Sequence, residues 1–301
     1  MPIRDHTCFL EPATGAHLWR YMDVPRFLAL LSSRSLWFCN LETLAKEDPF
    51  EGILPQANYR HRNWETLEDV PEADLEQIAM GDYGVGDDLL RKVKKAAEIR
   101  DLRIRQAFAH RRTKFASCWH LAETESAAMW SIYSRLGEGL AVVTTTERLK
   151  AAFAAATPEI YCGIVRYLNY ETDEVSTDNG FTPTLCKRVS FTHEAEARLI
   201  VWDTNLSHRQ VTAQDLASLG PVLAAHLAAQ GGVIGRSEEE IEALVVPPGV
   251  AVPCDIDPLI ESICLAPRTP PWLVDAIVKL AEQYGLGDRV RKSTLLDEPA
   301  R

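Results

Sequence analysis

Apolar positions along this chain follow two periods, and each predicts a different element. "HLWRYM" (17–22) is a short aromatic run that predicts a strand. "DVPRFLALLSSRS" (23–35) places Phe27, Leu28, Leu30 and Leu31 on one helical stripe, with Asp23 as N-cap and Pro25 in the first turn. "SLWFCN" (35–40) predicts a second strand, and "LAKEDPFEG" (44–52) a polar loop. Residues 60–88 are acidic and carry Pro71, Gly81, Gly84 and Gly86, which predicts a surface loop or short helices. Residues 87–112 form a long helical pattern with a basic face, and "TKFASCWHL" (113–121) predicts a strand. "TESAAMWSIYSRLG" (124–137) reads as a helix from a Thr124 cap to Gly137. A β-branched strand at 138–146 runs into a helix at 146–156.

"YCGIVRYLNY" (161–170) alternates as a strand, 173–184 is a loop, and "TLCKRVSF" (184–191) is short and ambiguous. "FTHEAEARLI" (191–200) satisfies both periods. As a helix it pairs Glu194 with Arg198 four residues on. As a strand it puts Thr192, Glu194, Glu196 and Arg198 on one face and Phe191, His193, Ala195, Ala197 and Leu199 on the other. The alternation favours the strand. Residues 210–250 hold an Ala-rich helix (213–230) and an acidic one (236–246), read as a helical insert. Strands follow at 249–256, after a helical turn within 257–267, and at 288–296, with a Thr269-capped helix to Gly285 before the last. Irregular interleaving of this kind predicts one α+β domain over 1–301, a central mixed or antiparallel sheet flanked by helices.

Composition narrows the function classes. Hydrophobic residues make up 46% and charged residues 25%, so a sizeable core is affordable without disulfides or metal. A net charge of −11 argues against a protein that coats nucleic acid, whose affinity comes largely from neutralising phosphates. The seven cysteines are scattered without a CxxC pair, which fits a reducing, cytoplasmic setting. The first residues carry no apolar export signal, and no run is long enough to span a membrane. His17, His110, His120 and His193 lack a tight ligand spacing, so no metal site is expected.

Several phrases together resemble the bacterial domain-of-unknown-function family 2971. They are "LWRYM", "LWFCN…DPFEG", "SCWHLAETESAAMWSIYSRLGEGLAV", "KRVSFTHEAEARLI", "ICLAPRTPPWLVD" and "VRKSTLL". That resemblance implies a fold and a cluster of residues, not a reaction. A further resemblance is to ADP-ribosyltransferases, which carry a basic residue, a serine and a glutamate on successive strands. Arg20, Ser117 and Glu194 or Glu196 fall in that order, although Ala-Ser-Cys stands where those folds carry Ser-Thr-Ser. The resemblance implies NAD or another nucleotide-like ligand. Arg20 would hold its diphosphate, Ser117 would orient a strand, and a carboxylate would stabilise the developing oxocarbenium.

Around these four lie further candidates for ligand contact: Tyr21, Asp48, Phe50, Glu51, Trp119, Trp130, Tyr133, Ser134 and Arg198. Each has a bland alternative. Asp48 or Glu51 would cap a turn, Trp119 and Trp130 would fill the core, and the charges at 194–198 would line a solvated face or an internal ion pair. Two other functions stand beside the transferase. One is a non-enzymatic ligand-sensing or interaction module, of the sort found in defence loci. The other is a ribonuclease built on Arg105 and His110 of "RQAFAH".

Overall fold

Strand β1 (His17–Asp23) leads through helix α1 (Val24–Ser33) into β2 (Ser35–Asn40). The Asp23 carboxylate accepts the Arg26 N–H at 2.8 Å, a cap worth about 1 kcal/mol. Phe27, Leu30 and Leu31 of α1 are buried, each contributing roughly 1.5–3 kcal/mol relative to an exposed side chain. The short α2 (Leu41–Leu44), α3 (Glu72–Met80) and the long α4 (Leu89–His110) precede β3 (Lys114–Leu121). Helix α5 (Ala127–Tyr133), β4 (Gly139–Thr145) and α6 (Thr146–Ala152) follow. Short strands β5 (Tyr161–Ile164), β6 (Arg166–Leu168) and β7 (Cys186–Arg188) lead to β8 (Glu196–Trp202). After β9 (His208–Gln210) and β10 (Val233–Gly235) come β11 (Gly249–Pro253), β12 (Ser262–Leu265), the helix Pro271–Glu282 and β13 (Val290–Lys292). This computed structural model describes residues 3–133, 137–218, 227, 229 and 231–297.

Nine strands build one mixed sheet, in the order β11-β2-β3-β1-β4-β12-β13, with β8 on the other edge of β3 and β5 beyond it. Its pairs are antiparallel except β12 with β13. The chain is therefore an α+β protein, as its interleaved pattern predicts. The sheet is forked along one edge of β3. There β2 pairs only at Ala116 and Phe115, and β1 only at Leu121 and His120. Ser117, Cys118 and Trp119 lie between the two branches.

The period of two sorts the sheet's side chains. Leu18, Met22, Phe38, Phe115, Trp119, Val142, Leu199 and Val201 join the main core, which also takes in Phe27 and Leu31 of α1, Leu149 of α6 and Ile277 of the helix Pro271–Glu282. On the opposite face, Trp19, Tyr21, Ala141 and Val143 pack against Met129 and Trp130 of α5. Glu196 and Arg198 point to this second face, because His120 and Cys118 stand opposite them in the β3–β8 register.

Several elements depart from expectation. "FTHEAEARLI" is not one strand: Val189–Glu194 is a 3-10 turn, Ala195 is left-handed, and the strand begins at Glu196. The Thr192 hydroxyl donates to the Val189 carbonyl at 2.6 Å, a local bond that favours a turn over a ladder. Helix α5 starts at Ala127, and Ser126 rather than Thr124 takes the Met129 N–H, at 3.4 Å. Pro270 precedes the helix Pro271–Glu282, and the Thr269 hydroxyl donates backwards to the Ala266 carbonyl at 2.6 Å. The 210–250 segment is not purely helical, since β10 pairs with β9. Of the helix expected at 213–230, Ala213–Ser218 is helical and residues 219–226, 228 and 230 lie outside the described residues. Among the described residues, no helix is long and apolar enough to cross a membrane.

Candidate functional site

Arg198 is the centre of a buried charge cluster on the second face. Its Nη1 and Nη2 donate to Glu51 Oε1 and Oε2 at 2.5 and 2.9 Å. Its Nε and Nη2 donate to Glu196 Oε1 and Oε2, both at 2.9 Å. The remaining Nη1 hydrogen reaches the Thr184 carbonyl at 2.7 Å. All five guanidinium donors are used, and Arg198, Glu51 and Glu196 are only 1%, 3% and 4% exposed. Burial by itself would raise the Glu196 carboxyl, but Arg198 and Lys187 outweigh it and hold it well below the usual carboxylate range. Burial would likewise lower the Arg198 guanidinium, and Glu196 and Glu51 reverse that.

Lys187 extends the cluster. Its ammonium donates to Glu194 Oε2 and lies 3.6 Å from Glu196 Oε2. Glu194 is 8% exposed, and its other oxygen makes no hydrogen bond among the described residues. The DPFEG loop is latched to this face twice, by Glu51 to Arg198 and by Asp48 to Arg188 at 2.6 Å. Asp48 also accepts the Phe50 N–H at 3.2 Å. Phe50 packs edge-on against Tyr170 and under the Arg188 guanidinium.

Arg20 occupies the fork. Its Nη1 donates to Ser117 Oγ at 2.5 Å and to the Cys118 carbonyl at 3.1 Å, and its Nη2 to the Trp37 carbonyl at 3.2 Å. It thus ties β1 to β2 and β3 where the backbones diverge. Three of its five donors are used, all on neutral acceptors, and no carboxylate pairs with it among the described residues. Burial pulls its pKa below the ordinary value, yet an arginine in a protein stays charged. Cys118 connects the two halves of the site, its carbonyl under Arg20 and its thiol beside the Glu196 carboxylate. Burial first, and Glu196 next, push that thiol well above its usual range, so it is a poor nucleophile. Tyr133, 40% exposed on α5, lies within the electrostatic reach of Glu194, Cys118 and Glu196, and also of Arg20.

Arg20 and Ser117 thus meet at the Cys118 backbone in the fork, while Glu51, Glu194, Glu196, Lys187 and Arg198 form a charge cluster that reaches the Cys118 thiol through Glu196, with Tyr133 on α5 within electrostatic reach. Other candidates sit in packing roles. Trp119 is 1% exposed in the main core. Trp130 is buried and donates its indole N–H to Glu125 at 2.8 Å. Tyr21 is buried against Trp130, with its hydroxyl accepting the Ser126 N–H at 2.8 Å. Ser134 lies outside the described residues. Arg105 and His110 take different partners: Arg105 pairs with Asp101 and Glu238, while His110 packs edge-on against Trp202. Burial pushes the His110 pKa down to about 4.

Lys187 was absent from the sequence candidates. The basic pair of "CKRVSF", seven residues ahead of Glu194, is the only signal that points to Lys187. No family model, no curated protein and no solved structure matches the chain.

Proposed function

We propose that the fork in the sheet binds the diphosphate of a nucleotide-like ligand, and that the protein is an enzyme of ADP-ribosyltransferase type acting on NAD. The observation that carries this reading is the contrast between its two arginines. Arg198 uses all five donors and two carboxylates, whereas Arg20 has two N–H groups without a partner and no counter-ion among the described residues. A half-buried guanidinium in that state favours a charge-assisted contact with phosphate.

Of the two glutamates, Glu194 is the better catalytic group. Both oxygens of Glu196 are held by Arg198, while Glu194 keeps one oxygen free of described partners. In the proposed reaction the glycosidic C1′–N bond breaks and nicotinamide leaves with the electron pair. The Glu194 carboxylate stabilises the oxocarbenium, and an acceptor adds to C1′ and loses its proton. The resemblance to family 2971 implies no reaction and does not bear on this choice. The saturation of Glu51, Glu196 and Arg198 favours a second reading, a sensing module that binds the ligand without turning it over.

Incubation with NAD labelled in the nicotinamide tests the proposal. The wild type should release label, and Glu194→Gln should slow release by on the order of a hundredfold, as for loss of one transition-state electrostatic group. Binding without release would leave the sensing module. Neither binding nor release would remove both readings.

A further inference from the structure

Ala195 is a non-glycine residue in the left-handed region, at φ 38 and ψ 58. Such backbone is unfavourable for a residue with a Cβ, and it persists only where its surroundings over-determine it. Three contacts do so here. His120 Nδ1–H donates to the Glu194 carbonyl at 2.6 Å. The Leu121 N–H donates to the Ala195 carbonyl at 2.8 Å, and the Glu196 N–H to the Tyr167 hydroxyl at 2.8 Å. Two of the three come from the end of β3, the strand that also carries Ser117 and Cys118 beneath Arg20.

The turn has a geometric consequence. It lets Glu194 and Glu196, two apart in sequence, both reach Lys187 although only Glu196 belongs to the strand. A Glu194 in continuous strand register would instead pair further along β3, past His120. His120 is 6% exposed, and its Nδ1 must carry the hydrogen because a carbonyl only accepts. From this geometry we infer that His120 is a positioning residue, which aims the Glu194 carboxylate by clamping the left-handed turn at Ala195. The inference rests on the catalytic role of Glu194 proposed above. His120 touches neither ligand nor reacting atoms; it acts through Glu194.

Nicotinamide release from NAD by four proteins tests it: wild type, His120→Phe, Glu194→Gln and the double variant. His120→Phe should lower kcat about tenfold or more, since a misplacement of about 1 Å costs on the order of a hundredfold. Its KM for NAD should stay within about twofold, because Arg20 is untouched. The double variant should match Glu194→Gln alone, the non-additivity expected of residues that act as a unit. His120→Asn, whose side-chain amide can replace the Nδ1 donor, should recover most of the lost kcat, which keeps the test open if the phenylalanine variant folds poorly. A wild-type kcat in His120→Phe, or a double variant slowed by the product of the two single effects, overturns the positioning role and leaves the transferase reading standing. A wild type that releases no nicotinamide overturns both.

Discussion

Arg198 and Glu51 meet through two parallel hydrogen bonds of 2.5 and 2.9 Å, joining strand β8 to a loop 147 residues earlier in the chain. Glu196 closes the other side of the same guanidinium. A buried pair of this kind adds little net stability over an apolar replacement of both partners, but removing one partner is costly. Arg198→Met should therefore destabilise the protein by about 3–5 kcal/mol in a urea melt. Glu42→Gln, which removes the exposed partner of Arg112, should lose no more than about 1 kcal/mol.

Acid should weaken the same cluster. Arg198 and Lys187 hold the folded-state pKa of Glu196 below its ordinary 4.5. The unfolded chain then binds its proton first, so the stabilisation is complete above about pH 4.5 and is lost as pH falls through the folded value. The stability difference between wild type and Glu196→Gln should shrink below pH 4.5 in denaturation curves taken at a series of pH values. A difference independent of pH there would contradict this account.

Lys114 gives a slope of the same sign in a more alkaline window. It is 1% exposed, its ammonium donates to the Gly180 carbonyl at 2.5 Å, and burial lowers its pKa from 10.5 to about 7. Between those values the unfolded chain holds a proton that the folded one has lost, so stability rises with pH. Relative to Lys114→Met, wild type should gain up to about 1.4 kcal/mol for each pH unit across that window. A gap that stays constant from neutral to alkaline pH would mean that the amine is not desolvated.

Arg112 should hold the 238–244 segment in place. It pairs with Glu42 at 3.0 Å and donates to the carbonyls of Ile241, Glu242 and Leu244 at 2.8, 2.6 and 3.1 Å. Ile241 and Glu242 close the short helix Glu238–Glu242, where terminal carbonyls lack the full intrahelical ladder, and the Ile241 carbonyl also accepts the Leu244 N–H at 3.1 Å. Arg112→Ala should speed amide hydrogen exchange between residues 238 and 244 by at least about tenfold, the equivalent of ~1.4 kcal/mol in local opening, while β3 and β8 exchange as before.

The sequence pattern carried the fold class, because alternation and helical stripes are local properties. It placed β1, α1, β2, α4 and β3 close to where they lie. The fork was not legible, since it depends on which residues of β1, β2 and β3 meet across the chain. Arg20 with Ser117 could be named from their order on successive strands, but Glu51 with Arg198 is a pairing that no local pattern encodes. The turn at Ala195 was missed for another reason. A left-handed residue is usually signalled by glycine or asparagine, and here tertiary contacts impose it on an alanine whose neighbours alternate like a strand. The aromatic candidates Tyr21, Trp119 and Trp130 illustrate a third limit, because the same large side chains serve a core or a cleft equally well in sequence.

The central claim is that Arg20 in the sheet fork recognises a nucleotide diphosphate, and direct calorimetric titration with NAD tests it most closely. The wild type should bind, and Arg20→Lys, which keeps the charge but loses the forked donor geometry, should bind at least about tenfold more weakly, a loss of ~1.4 kcal/mol. Equal affinity in the two proteins, or no heat of binding to the wild type, would contradict it.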